Sequence, residues 1–167
     1  MNNYICTTEI NSIFKTKIQS NRITGASIDT RTIKKGNIFF ALKGKYTDGH
    51  KFILEAEKAG ASIAFVHKKN KNCKLPQIKV KNTNHALLKL AREYRSKLST
   101  QIVGITGSVG KTGTKDAIAY ILKKKKNIHC SRKSFNNQIG LPLELLNMPR
   151  KTKYGFFEIG MNHAGEI

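Results

Sequence analysis

The chain is 167 residues long and carries a formal net charge of +21, from 31 Lys and Arg against 10 Asp and Glu. That length fits one or two small domains with a real core, and apolar periodicity throughout excludes a disordered chain. Cys6, Cys73 and Cys130 are widely spaced, odd in number and form no Cys-x-x-Cys pair, which argues against a disulfide framework and for a reduced, cytoplasmic protein.

No apolar stretch reaches signal-peptide or bilayer length, so no membrane span is expected. The basic residues are scattered, with one dense block at Lys123–Lys126. The aromatics fall in apolar strands and helix stripes and form no stacking platform. We read the charge as a solvated face rather than a nucleic-acid site, and expect no nucleic-acid partner.

In chain order, Ile10, Ile13 and Phe14 have helical spacing. Ile23–Ile28 reads as a short strand, and Ile38–Leu42 as a strongly apolar one. A turn-rich loop, Gly44–His50, follows. Apolar residues at 52, 53, 56 and 59 predict a helix closed by Gly60. Ser62–Val66 and Gln77–Val80 are strand candidates on either side of a basic turn. Asn82-Thr83-Asn84 caps a helix striped with Leu87, Leu88, Ala91, Tyr94 and Leu98. Ser99-Thr100 is the expected boundary. After it come a strand over 102–106, a helix over 112–122, a strand over 127–130, a helix over 141–147 and a strand over 154–159. The fold class is therefore α/β with parallel sheets: a small unit over 1–99, then the start of a second over 100–167 that looks incomplete.

The second unit opens on Gly104-Ile105-Thr106-Gly107-Ser108-Val109-Gly110-Lys111-Thr112. An apolar run, Gln101–Ile105, reads as a buried strand, and Lys111-Thr112 opens a helix. This is the strand, loop and helix context of a phosphate-binding loop. Gly107 and Gly110 let the backbone turn, and its N–H groups with the helix N-terminus form an anion cradle. Lys111 is expected to reach the β- and γ-phosphates, and the Thr112 hydroxyl to hold Mg²⁺. The full pattern wants glycine at 105, where this chain has Ile105; what remains is G-x-x-G-K-T.

Tyr154–Ile159 is an apolar strand ending in a carboxylate. Ligands of parallel sheets gather at the carboxyl ends of strands, so Glu158 is expected to face the loop and share the Mg²⁺. Asn136 and Asn137 precede a glycine and a helix-starting proline; their amides either bond a substrate or order the turn. Asp29-Thr30-Arg31 and Asp48-Gly49-His50 are turns by default, although Arg31 and Lys45 suit a diphosphate. His163 reads as a surface histidine.

Taken together, Thr106–Thr112, Asn136–Pro142, Glu158–Ile167, Ser27–Arg31, Gly36–Gly44 and Asp48–Phe52 resemble the Mur ligase family. The resemblance runs from about residue 23 to the end. It implies a UDP-binding domain, an ATPase domain and a third domain. It implies ATP and Mg²⁺ as cofactors, with Gly107, Ser108, Val109, Gly110, Lys111, Thr112 and Gly113 at the nucleotide. Gly113 stands where the family usually has Ser or Thr. Thr112 and Glu158 would hold the metal, and Lys111 and Glu158 would act in catalysis. Ile28, Thr30, Arg31, Gly44, Lys45 and Tyr46 would contact the uridine nucleotide, with Asn136 and Asn137 on the muramoyl-peptide side.

The implied reaction is peptidoglycan-precursor ligation. The carboxylate of UDP-N-acetylmuramoyl-tripeptide takes the γ-phosphoryl group of ATP to give an acyl phosphate, and the amine of D-alanyl-D-alanine displaces phosphate. The family's adenine pocket, second-metal ligands and third domain would lie past Ile167. The chain is therefore expected to be inactive alone, with a separate C-terminal portion as partner. Two other readings use the same residues: a non-catalytic nucleotide- or UDP-sugar-binding module or half of a split enzyme, and a basic nucleic-acid-binding protein with a phosphate loop.

Overall fold

The computed structural model describes residues 4–19, 22–44, 47–122, 124, 127–132 and 135–160. The elements are α1 (Thr7–Phe14), β1 (Gly25–Ser27), β2 (Asn37–Phe40), α2 (Ile53–Lys58), β3 (Ile63–Val66), β4 (Gln77–Lys79), α3 (Thr83–Ser96), β5 (Gln101–Ile105), α4 (Lys111–Leu122), β6 (Ile128–Cys130), α5 (Gly140–Leu146) and β7 (Tyr154–Glu158). The periodicity located each of them. The helix expected over 52–59 is divided into a 3-10 turn, Gly49–Phe52, and the shorter α2. Asn82 caps α3 as expected, its side chain accepting from Asn84 N and His85 N.

Four strands pair in the order β1-β2-β3-β4 and three in the order β5-β7-β6, all parallel. Side chains alternate across a strand, and β2 and β3 use both faces. Ile38, Phe40, Ile63 and Phe65 enter one core beneath α1 and α3. Phe39, Ala41, Ala64 and Val66 enter a second with Ile53 and Ala56 of α2. Burial on both faces is why these strands read as unbroken apolar runs. Phe40 and Phe65, paired across the strands, stack with ring centroids 4.7 Å apart.

The second sheet corrects one expectation. Gln101–Ile105 forms a strand, but not a buried one: Val103 is 40% exposed, and Gln101 and Gly104 are exposed too. Among the described residues β5 pairs with β7 alone, so its apolar residues have a partner strand on one side only. Val109, Tyr120 and Ile121 are likewise exposed.

α5 joins the two sheets. Leu143 and Leu146, with Met148 and Phe157, belong to the same core as Leu87, Leu90 and Tyr94 of α3. Tyr94 Oη donates to Met148 O at 2.9 Å in the buried seam. The Asn147 amide completes the edge of β1: Ala26 N donates to its Oδ1 and its Nδ2 donates to Ala26 O, both at 3.0 Å. Gly25, at φ +137, admits that amide; a Cβ there would lie 2.2 Å from Asn147 Oδ1. Arg150 closes the seam from outside, with Nε donating to Tyr4 O and the guanidinium paired with Glu9.

Cys6, Cys73 and Cys130 are free. No helix among the described residues is long and apolar enough to cross a membrane. Of the basic block, Lys123, Lys125 and Lys126 lie outside the described residues, as do Lys45, Tyr46 and the 161–167 segment with His163.

Tyr94→Phe leaves the buried Met148 carbonyl without its donor, and urea denaturation should show a loss of about 1–2 kcal/mol. Burial works to raise the Glu9 carboxyl, but hydrogen bonds from Cys6 and Arg150 outweigh it and hold the group at about 2. A depressed carboxyl contributes stability that is complete above the unfolded value, about 4.3, and is lost as pH falls towards the folded one. An acid titration of stability should therefore decline from about pH 5 downwards, less steeply in Glu9→Gln.

Candidate functional site

β5 ends at Ile105, and α4 begins at Lys111. The intervening turn passes through Gly107 at φ +141 and Gly110 at φ +80, conformations that side chains disfavour. Ile105 itself lies in the strand, paired with Glu158 of β7. The missing glycine of the longer pattern thus falls where no turn is made.

The register brings the end of β7 beside the start of α4. Thr112 Oγ1 donates to Glu158 Oε2 at 2.7 Å. Asn136 Nδ2 donates to the other carboxylate oxygen at 3.1 Å, and Glu158 N donates to Ser131 Oγ at 3.1 Å. Glu158 is only 5% exposed, and a carboxylate that far from water needs such donors. Lys111 folds over the turn, Nζ donating to Gly107 O at 2.6 Å. A cavity of about 420 Å³ opens here, lined by Thr106–Ser108, Lys111, Asn136, Asn137 and Gly160. A larger one, about 780 Å³, lies at the amino ends of the first sheet's strands among Arg22, Lys35 and Lys74. The smaller cavity is the better centre, because Lys111 and Asn136, whose amide holds Glu158, line it at strand carboxyl ends.

The two asparagines divide their work. Asn136 holds Glu158, and its carbonyl accepts from Gly160 N at 2.8 Å. Asn137 Oδ1 accepts from Ile139 N and Gly140 N and so orders the start of α5. Ser108, Val109, Gly110 and Gly113 are exposed along the loop and first helical turn.

The other predicted residues lie on the first sheet. Ile28, Thr30 and Arg31 follow the carboxyl end of β1, and Gly44 follows that of the adjacent β2. The Arg31 guanidinium lies back on Asp29, its Nη2 2.6 Å from Oδ2. Thr30 Oγ1 donates to Glu55 Oε2 at 3.3 Å.

Sequence reasoning missed three buried polar groups on the elements around this site. Ser131 is one. Lys115 is another, 3% exposed on α4 and paired with Asp116. The third is Glu144, 1% exposed, which accepts from Arg132 Nε at 2.7 Å and Arg132 N at 3.1 Å. Burial pushes the Glu144 carboxyl up, but His129, 3.7 Å away, and the hydrogen bonds from Arg132 outweigh it and leave the group below its ordinary value. The signal was a lone acid inside the apolar helix Gly140–Leu146.

Comparisons with known proteins meet this geometry at the same segments. The model described as "Mur ligase family, catalytic domain" matches residues 22–95, and "Mur ligase middle domain" matches residues 105–166. The chain belongs to the Mur ligase family. Within it, a UDP-N-acetylmuramoyl-tripeptide–D-alanyl-D-alanine ligase of Bacillus subtilis is 40% identical over 149 residues, covering 87% of this chain and 32% of the relative. The ligase of the same name from Escherichia coli is 36% identical, covering 95% and 35%. A crystal structure of MurF from Acinetobacter baumannii superposes with TM-score 0.80 at 29% identity, over 95% of this chain and 36% of that one. MurF of Thermotoga maritima in complex with ADP superposes with TM-score 0.65 at 34% identity, over 80% and 31%. The chain thus spans about a third of the length of the relatives it matches.

Thr112→Val removes the hydroxyl donor from a buried carboxylate. Denaturation should show a loss of about 1–3 kcal/mol, recovered in Thr112→Ser.

Proposed function

We propose that this chain supplies the UDP-substrate and ATP sites of a peptidoglycan-precursor ligase. The ligase joins D-alanyl-D-alanine to UDP-N-acetylmuramoyl-tripeptide through an acyl phosphate. The observation that carries this reading is the 2.7 Å contact of Thr112 with Glu158 beside Lys111. One hydroxyl and one carboxylate are hard oxygen donors, and they suit Mg²⁺, which keeps its remaining positions for water and phosphate oxygens. The ADP named with the Thermotoga relative supports ATP as the nucleotide.

Thr112 and Glu158 hold the metal in this reading. When bound, Mg²⁺ offsets negative charge on the phosphates. Lys111 exchanges the carbonyls of Gly107 and Ser108 for phosphate oxygens. The backbone from Gly107 to Gly110, with Thr112 and Gly113 at the helix start, wraps the rest. Asn136 and Ser131 keep the carboxylate aimed, so little reorganises when charge develops. The amide nitrogen of Asn137, whose oxygen serves the turn, is left for the muramoyl peptide. Ile28, Thr30, Arg31 and Gly44, with Lys45 and Tyr46, take the uridine nucleotide. To do so, Arg31 trades Asp29 for the diphosphate. We divide the chain at Ser99-Thr100 into a UDP-binding unit, 1–99, and part of an ATP-binding unit, 100–167. A reaction on UDP-sugars and ATP runs in the cytoplasm.

Phosphate release with ATP, UDP-muramoyl-tripeptide and D-alanyl-D-alanine, with and without a separately supplied C-terminal portion, tests the reading; turnover is expected only with it. Lys111→Ala should abolish nucleotide binding by calorimetry and leave the UDP ligand bound as before. Loss of both ligands in a folded Lys111→Ala protein defeats the two-site assignment.

A further inference from the structure

One motif, Asp48-Gly49-His50, has no part in the phosphate site, yet His50 spends both ring nitrogens. Asp48 Oδ1 accepts from His50 N at 3.0 Å and lies 2.8 Å from His50 Nδ1. On the far side of the ring, His67 N donates to His50 Nε2 at 2.8 Å. A backbone N–H only donates, so Nε2 must present its lone pair. The ring proton therefore sits on Nδ1 and is donated to Asp48. His50 is neutral and confined to one tautomer.

This bond ties two strand ends together. His67 is the first residue after β3. His50 ends the turn that leaves β2, in which Gly49 N donates to Leu42 O and Gly44 N to Thr47 O, each at 2.8 Å. A Cβ on Gly49 would lie 2.9 Å from the Leu42 backbone, so the turn has no slack at that point. Asp48, His50 and His67 are close enough together to share a cation. A metal on either nitrogen of His50 breaks one of its two bonds, however, so the arrangement fits a hydrogen-bond relay instead.

We propose that His50, in its neutral form, is a positioning residue that pins Asp48-Gly49, itself bonded back to Leu42, to the end of β3 and so places Gly44 for the uridine nucleotide. The second half of this rests on the UDP site proposed above. A protonated ring carries hydrogen on Nε2 and meets the His67 N–H donor to donor, which releases the tie. Asp48 alone favours the charged ring. Against it stand the His67 ring, 3.7 Å away between centroids, Lys43, and Lys68 and Lys69 on the same cavity wall. Burial first, then His67 and Lys43, outweigh Asp48 and hold the imidazole below its ordinary value. With the folded value lowered, the tie is complete above the ordinary value, about pH 6.5, and is lost as pH falls through the lower folded one.

The test follows the intact chain, H50Q and H50F from pH 8 to pH 5. It reads imidazole nitrogen shifts by NMR, amide exchange at His67, and affinity for a UDP-muramoyl-peptide. Glutamine offers an oxygen near the position of Nε2 and does not titrate. Expected are an Nδ1–H tautomer at pH 8, loss of His67 amide protection at the His50 midpoint, and about tenfold weaker UDP-ligand binding below it. H50Q should keep its affinity across the range, and H50F should be weak throughout. An Nε2–H tautomer at pH 8, a His67 amide indifferent to the His50 midpoint, or an unchanged acid loss of affinity in H50Q overturns the proposal. Failure of the UDP ligand to bind at any pH defeats both the UDP reading and the placement of Gly44. An Nδ1–H tautomer with a coupled His67 amide would still support the tie itself.

Discussion

A carboxylate nearly sealed from water sets the terms for the second half of this protein. Glu158 is tolerable at 5% exposure because Thr112 and Asn136 each donate to one of its oxygens. Those donors come from different elements, one from the helix after the glycine-rich turn and one from the loop before α5. Ser131 receives the backbone N–H of the same residue. The cost of an unpaired buried charge thus fixes α4, the two flanking loops and the end of β7 relative to one another. The chemical site is the place where that requirement is met.

The strand that carries Glu158 also serves the fold. Phe157, its neighbour, is 1% exposed and belongs to the core shared with α3. Adjacent strand residues point to opposite faces, so one ring anchors the seam while the next side chain faces the loop. A slip of one residue in β7 would exchange them. Glu144 supports the arrangement from behind by holding Arg132, the residue next to Ser131, at both backbone and side chain. Packing between the sheets and geometry at the cavity are therefore set by the same short stretch, 128–160.

Much of this was legible before any coordinates. Glycine spacing located the turn, Asn82 announced α3, and an apolar strand ending in acid located Glu158. These are local signals, each complete within a few residues. Less legible were features set by distant partners. Gln101–Ile105 has the composition of a buried strand, and nothing local distinguishes an edge position from a central one. Arg31 looks like a free cation until its own neighbour Asp29 claims it. Whether the asparagines order the turn or face outward depended on Glu158, twenty-odd residues on, and on the start of α5. Glu144 was a charge in an apolar helix, and its partner lies outside that helix.

The Asn147 amide and the absent side chain of Gly25 form a single lock whose halves are encoded far apart. The amide imitates a strand's backbone and needs the space that glycine leaves. Neither position is free to drift alone. A larger residue at 25 evicts the amide, and a residue without an amide at 147 exposes an unpaired strand edge. Evolutionary change here must proceed in concert or not at all, and homologous chains that differ at one position should carry a compensating difference at the other.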